Sequence, residues 1–160
     1  MVQVTPVVKN LIIVNVIIFL VLFLPFTSWL EVFFVLGKSN ALGFRTSEAF
    51  FAFQPYQIVT SFFGHATIFH LLFNMLALYS IGVPVEMALG SRRFLKFYLF
   101  CGVVAALVLA YLDPSNNPVL GASTAISGVL AAFGVMFPDS RISFFFLPPL
   151  KRKNCLSARR

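Results

Sequence analysis

His65-Ala-Thr-Ile-Phe-His70-Leu-Leu-Phe-Asn74 opens an apolar run that reaches Leu89 with a single carboxylate, Glu86, near its far end. Crossing a bilayer as an α-helix takes about 20 mostly apolar residues, and Ile68 to about Leu89 meets that length. His70 and Asn74 lie four positions apart, so they share one helix face, about 6 Å apart along the axis. Polar groups inside such a run must be satisfied or functional. The run therefore carries both a fold, a membrane helix, and a candidate site at one of its ends.

The rest of the 160 residues repeats the pattern. Hydrophobic residues make up 59% of the chain and charged residues 11%, with a mean hydropathy of +0.93. A soluble domain carries about 25% charged residues, so the fold class is all-α, a polytopic membrane helical bundle. Three further segments qualify as spans: about Leu11 to Leu30, with Asn15 as its polar atom and Pro25 as an expected kink, about Phe94 to Tyr111, and about Gly121 to Phe137. The N-terminal run is too long for a cleavable signal peptide and no small-residue cleavage motif follows it. Cys101 sits in an apolar run and Cys155 in a basic tail, and both are read as unpaired.

The net charge of +7 is distributed in short clusters between apolar runs, which sets membrane orientation and argues against nucleic acid as a partner. With the N-terminus inside, Lys9, Arg92, Arg93, Lys96, Arg141, Lys151, Arg152, Lys153, Arg159 and Arg160 are cytoplasmic, and only Lys38 and Arg45 are outside. Both termini are thus expected in the cytoplasm, in a plasma (inner) membrane. The connection from about Glu31 to Thr67 lies outside. Its Phe44, Phe50, Phe51, Phe53, Tyr56, Phe62 and Phe63, interleaved with Gln54, Gln57 and Ser61, predict short helical pieces in the outer interface.

The last span reads Gly121-Ala-Ser123-Thr-Ala125-Ile-Ser127-Gly128-Val-Leu-Ala-Ala132. Small residues four apart let helix backbones approach closely, which predicts a place in the middle of the bundle. Cys101, Gly102, Ala105 and Ala106 give the third span a similar face. Ser123 falls in the first turn of its helix, where backbone N–H groups lack helical partners and the dipole favours negative charge. The topology puts it at the depth of His70 and Asn74. That arrangement suits acyl transfer, with Ser123 attacking and His70 and Asn74 as oxyanion donors. It equally suits a packing serine with His70 and Asn74 hydrogen-bonded between helices. His65 and His70 are five apart without a third ligand, so no metal site is expected.

These residues resemble the rhomboid family of intramembrane serine proteases. His65 to Asn74 is similar to the second-span motif, Gly121-Ala122-Ser123 to the Gly-x-Ser motif opening the fourth span, and Glu86-Met-Ala-Leu-Gly90-Ser-Arg-Arg93-Phe94 to the turn between spans two and three. The resemblance covers about residues 10 to 150. It implies Ser123 as nucleophile; His70, Asn74 and the Ser123 N–H at the oxyanion; His65, Gly121 and Ala122 in support; no metal or cofactor; and transmembrane helices of membrane proteins, reached through the lipid bilayer, as substrates cut near the outer face.

Three departures from the family pattern stand out. Thr124 follows the serine where glycine is common. Tyr56-Gln57 stands where many relatives carry Trp-Arg. The family uses six spans, the sixth bearing the histidine that acts as general base, whereas this chain reads as four spans and both its histidines, His65 and His70, belong to the second-span motif. A serine hydroxyl is a weak nucleophile without such a base. The expectation is a partial rhomboid-like membrane unit over 1–150, truncated and inactive alone, with a basic cytoplasmic tail over 151–160. The alternative is a non-catalytic rhomboid-like protein that binds transmembrane helices. With Glu86 as the one acid inside a span, no ion relay is read and a transport role is disfavoured.

Overall fold

The structure, a computed structural model, describes residues 4–24, 30, 33, 34, 56–112 and 121–138. Helix α1 is Pro6–Leu22. A short segment follows at Gln57–Thr60 (α2), continued by a 3₁₀ turn at Ser61–Phe63. Helix α3 runs Ile68–Leu89 without a break, α4 is Ser91–Leu112, and α5 is Ser123–Met136. No strand occurs among the described residues.

Helix α1 begins earlier and ends earlier than the hydropathy of Leu11 to Leu30 predicts. Pro6 takes the first helical position, where its missing N–H costs nothing. The next amides are capped from a distant helix. The Thr5 hydroxyl and the Val8 N–H donate to Glu86 Oε2 at 2.5 and 2.8 Å, and the Val7 N–H donates to Oε1 at 3.0 Å. The Glu86 acceptor has no local sequence signal, and the Thr5-Pro6 pair that does mark the start is passed over when hydropathy alone is read. The expected kink at Pro25 lies outside the described residues. Asn15 is fully buried, and its amide nitrogen donates to the Leu11 carbonyl at 2.7 Å.

Helix α3 starts at Thr67, whose side chain accepts from the His70 N–H at 3.1 Å. Its middle, Leu78–Gly82, is π-helical. One residue inserted into an α-helix rotates everything beyond it by about 100°. The N-terminal half carrying His70 and Asn74 is thereby set independently of the C-terminal half carrying Glu86. Gly90 ends the helix at φ +79 and donates its N–H to the Glu86 carbonyl at 2.8 Å. Ser91 starts α4 and gives its hydroxyl to Glu86 Oε1 at 2.7 Å.

Glycine notches set the close packing. A Cβ on Gly128 would collide with Cys101 Cβ and Sγ, so α5 and α4 touch backbone to side chain there. A Cβ on Gly102 would lie 2.6 Å from the Phe62 ring and 3.1 Å from Ala125 Cβ. The small faces read in the sequence thus meet each other. Phe62 is the exception to the interfacial reading of the first connection: it is fully buried in the Gly102 notch, and Gln57 and Ser61 beside it are buried too. Phe44, Phe50, Phe51, Phe53 and Gln54 lie outside the described residues, as do Cys155 and the tail 151–160. Helix α5 buries Ala122, Ala125, Val129 and Phe133 on one side, while Ser123, Ser127, Leu130 and Ala131 are exposed. Among the described residues it is therefore packed on one flank, not surrounded.

Large apolar side chains are exposed on several helices. Ile68, Phe69, Leu72 and Phe73 on α3 are each more than half exposed, as are Ile17 and Leu20 on α1 and Phe100 on α4. Water does not tolerate such contiguous patches on a monomer, whereas acyl chains do. By length and composition, α3 is the one helix among the described residues that qualifies on its own to cross a membrane; Pro6–Leu22 and Ser123–Met136 are apolar but shorter.

Two outcomes are expected. Replacing Glu86 by Ala removes the acceptor for four donors and lowers stability by roughly 2 kcal/mol or more, read as earlier thermal exposure of Cys101 to a thiol-reactive dye in detergent; an unchanged midpoint would show that the cap is idle. Deleting Ser80 removes the surplus residue, so the segment should close as α-helix with His70 and Glu86 still in phase and the midpoint little changed. Deleting Tyr79 and Ser80 together should swing the two halves about 100° apart and lower the midpoint, and equal losses from the two deletions would rule out register as the cause.

Candidate functional site

The turn entering α5 is built on Gly121. Its φ of +103 is a conformation L side chains avoid, and its N–H donates to the Ser61 carbonyl at 2.7 Å. That bond fixes the turn to the α2 segment. A Cβ placed on Gly121 would come within 2.7 Å of His70 Cε1, 2.9 Å of His70 Nε2 and 3.4 Å of Asn74 Nδ2. The backbone of Gly121 therefore lies directly against both side chains of α3, and only glycine leaves them room.

Ser123 is the first residue of α5 and is exposed. Its N–H is one of the helix's opening donors without a helical acceptor. Its carbonyl accepts the Ser127 hydroxyl at 2.7 Å. Ala122, the N-cap, is fully buried, and Thr124 is buried with its hydroxyl 3.4 Å from the Gly121 carbonyl. A small buried residue at 122 and a glycine at 121 are what let the turn sit so close to α3.

His65 precedes α3 and packs edge-on against His70, with ring centroids 5.1 Å apart. Its Nδ1 is 3.2 Å from the Phe63 carbonyl, which can only accept. The proton is therefore assigned to Nδ1, leaving Nε2 as a lone-pair acceptor. Burial is the main reason its pKa falls from the usual histidine value to about 4, with the positive potential of His70 adding to the effect. His65 is thus neutral at physiological pH. Among the described residues its Nε2 and the Asn74 Nδ2 are both buried without a partner.

Of the residues singled out from sequence, the fold brings His65, His70, Asn74 and Gly121 together and places Ser123 two residues on, at the start of α5. Among the described residues no hydrogen bond joins the Ser123 hydroxyl to either histidine. What sequence reading missed is the role of Ser61, whose carbonyl holds the turn, and of Thr67, whose cap sets His70. A threonine just ahead of an apolar run is a legible cap signal; a backbone carbonyl gives none. No cluster of metal-ligating side chains occurs among the described residues.

The model of the Rhomboid domain matches residues 52–156. The chain is similar to Rhomboid protein 1, mitochondrial, of Saccharomyces cerevisiae, 36% identical over 57% of this chain and 28% of the relative. It is similar to Rhomboid-like protease 3 of Toxoplasma gondii, 36% identical over 56% of this chain and 34% of the relative. Rhomboid protease GluP of Bacillus subtilis is 37% identical over 58% of this chain and 18% of its own length. The chain spans about a third or less of the length of these curated relatives. A match over most of the chain, carrying the histidine–asparagine pair and the Gly-x-Ser turn in the order the fold juxtaposes them, shows that the chain belongs to the rhomboid family of membrane proteins.

Proposed function

We propose that these residues form the nucleophile-and-oxyanion part of a rhomboid-type intramembrane serine endopeptidase that cleaves transmembrane-helix substrates near the outer membrane face. One observation carries the reading: the buried, unpartnered Asn74 amide and His70 Nε2 both press on Gly121, two residues before the exposed Ser123. A buried donor without an acceptor is costly at rest and is repaid when an oxyanion forms beside it. In this reading Ser123 Oγ attacks the substrate carbonyl. The developing charge is taken by the Ser123 N–H, His70 Nε2–H and Asn74 Nδ2–H. His65, neutral, positions His70. Two of the relatives carry the word protease in their names, which supports the reaction class.

The reaction also needs a base to take the Ser123 proton. His70 is committed to the oxyanion side and His65 is buried behind it, and the 160 residues hold no third histidine. By themselves they are therefore proposed to be inert. A rhomboid-like protein that binds transmembrane helices without cutting them fits the same surfaces if no base is ever supplied.

The chain is assigned to a plasma (inner) membrane with both ends cytoplasmic, residues 1–150 forming the membrane unit and 151–160 a basic tail. The support is the charge bias of ten inside against two outside. The mitochondrial name of one relative favours the inner mitochondrial membrane as a second reading, with the same orientation relative to the matrix.

A fluorophosphonate probe tests the chemistry. The purified chain should label weakly or not at all. Fusion of a histidine-bearing span after residue 150 should switch on labelling that Ser123→Ala abolishes. In that fusion His70→Ala or Asn74→Ala should cut labelling about 10²- to 10³-fold, and Gly121→Ala, whose methyl would strike His70, should do the same. A folded fusion that never labels supports the non-catalytic reading. Topology has its own check: a periplasmic reporter should be active when fused after Leu112 and inactive after Met136, and the reverse pattern would overturn the orientation.

A further inference from the structure

Four cations gather at the end of the bundle where Glu86 sits. Lys9 directly follows Val8, whose N–H bonds the carboxylate, and Arg92 and Arg93 directly follow Ser91, whose hydroxyl bonds it. Lys96 lies on the same helix, one turn from Arg92 and Arg93. All four are exposed. Glu86 is the only acid among the described residues, and its two oxygens already accept from Thr5, Val7, Val8 and Ser91. Four positive charges are thus left at one place without a carboxylate partner among the described residues.

Orienting a membrane protein requires only that positive charge lie on the correct side. It does not require that residues more than eighty positions apart converge on one point, as Lys9 and Arg92 do through the neighbours that bond Glu86. The patch is also flanked by apolar side chains: Met87, next to Glu86, is 68% exposed and Leu95 is 37% exposed. Cations beside exposed hydrocarbon match a ligand that is anionic at one end and apolar at the other. A free phosphate would use only the first half of that surface.

We propose that Lys9, Arg92, Arg93 and Lys96 bind the phosphodiester headgroup of an anionic phospholipid, whose acyl chain lies along Met87 and Leu95. The lipid neutralises charge that the described residues leave unanswered and clamps the start of α1 to the start of α4. It does so on the face opposite the Ser123 end, independently of whether Ser123 is a nucleophile. Headgroup attraction of this kind scales with the number of basic residues and is screened by salt.

The test titrates dioleoylphosphatidylglycerol into the chain held in neutral detergent, with dioleoylphosphatidylcholine and inorganic phosphate as separate arms, and follows the thermal midpoint. Phosphatidylglycerol should raise the midpoint, phosphatidylcholine should not, and about 0.5 M salt, which shrinks the Debye length to a few ångströms, should cancel the rise. Arg92→Gln with Arg93→Gln should leave the lipid-free midpoint unchanged, because both side chains are exposed, and weaken the lipid response about tenfold or more. Equal responses to the two lipids, or a full response in the Arg92/Arg93 variant, would overturn the site; a rise produced by inorganic phosphate alone would overturn the lipid as its occupant.

Discussion

A carboxylate removed from water is expensive unless its lone pairs are answered, and Glu86 is answered from two sides. The start of α1 gives it two amides and a hydroxyl, α3 carries it, and α4 begins with the serine that completes its shell. Its own backbone carbonyl takes the N–H of Gly90, the residue that turns the chain from α3 into α4. Apolar packing in a lipid medium has little power to specify register, because neighbouring helices and acyl chains are equally greasy. A convergent polar knot supplies what packing cannot. Everything outward along α3, including His70 and Asn74, is positioned relative to that fixed end.

The π segment is how one helix serves two partners. Its C-terminal half meets α1 through Glu86, while its N-terminal half meets the α5 turn through His70 and Asn74. A uniform α-helix would tie these two orientations together. Gly82 lies within this segment, and a Cβ there would meet Val8 at 3.0 Å and approach the Phe94 ring at 3.5 Å, so the irregular turn is packed on both sides and cannot relax freely. The notches at Gly102 and Gly128 then close α4 onto the aromatic peg of α2 and onto α5.

Much of this is legible in the sequence because it is written in local pattern. The helical class follows from hydropathy, the α4–α5 approach from small residues at Cys101, Gly102, Ala125 and Gly128, and the grouping of His70, Asn74 and the Gly-x-Ser turn from charge bias and spacing. What is not legible is whatever depends on a partner far along the chain. Hydropathy gives no sign of the acceptor at the start of α1, because Glu86 lies about eighty residues later. Phe62 reads as an interfacial ring because nothing near it announces the Gly102 notch that takes it in. The π turn leaves no composition signal, since Leu78 to Gly82 would pass as ordinary helix. Ser61 acts through its carbonyl, which every residue possesses.

The bond from Gly121 N–H to the Ser61 carbonyl joins the short segment ahead of α3 to the turn beneath the serine with no side chain in between. Phe62, the very next residue, is wedged into α4. Segment, wedge and turn are therefore tethered in series: with Phe62 pinned at Gly102, the peptide that spaces the serine from its two neighbours hangs on one backbone link of 2.7 Å, and its position is set by a segment that carries none of the reactive groups.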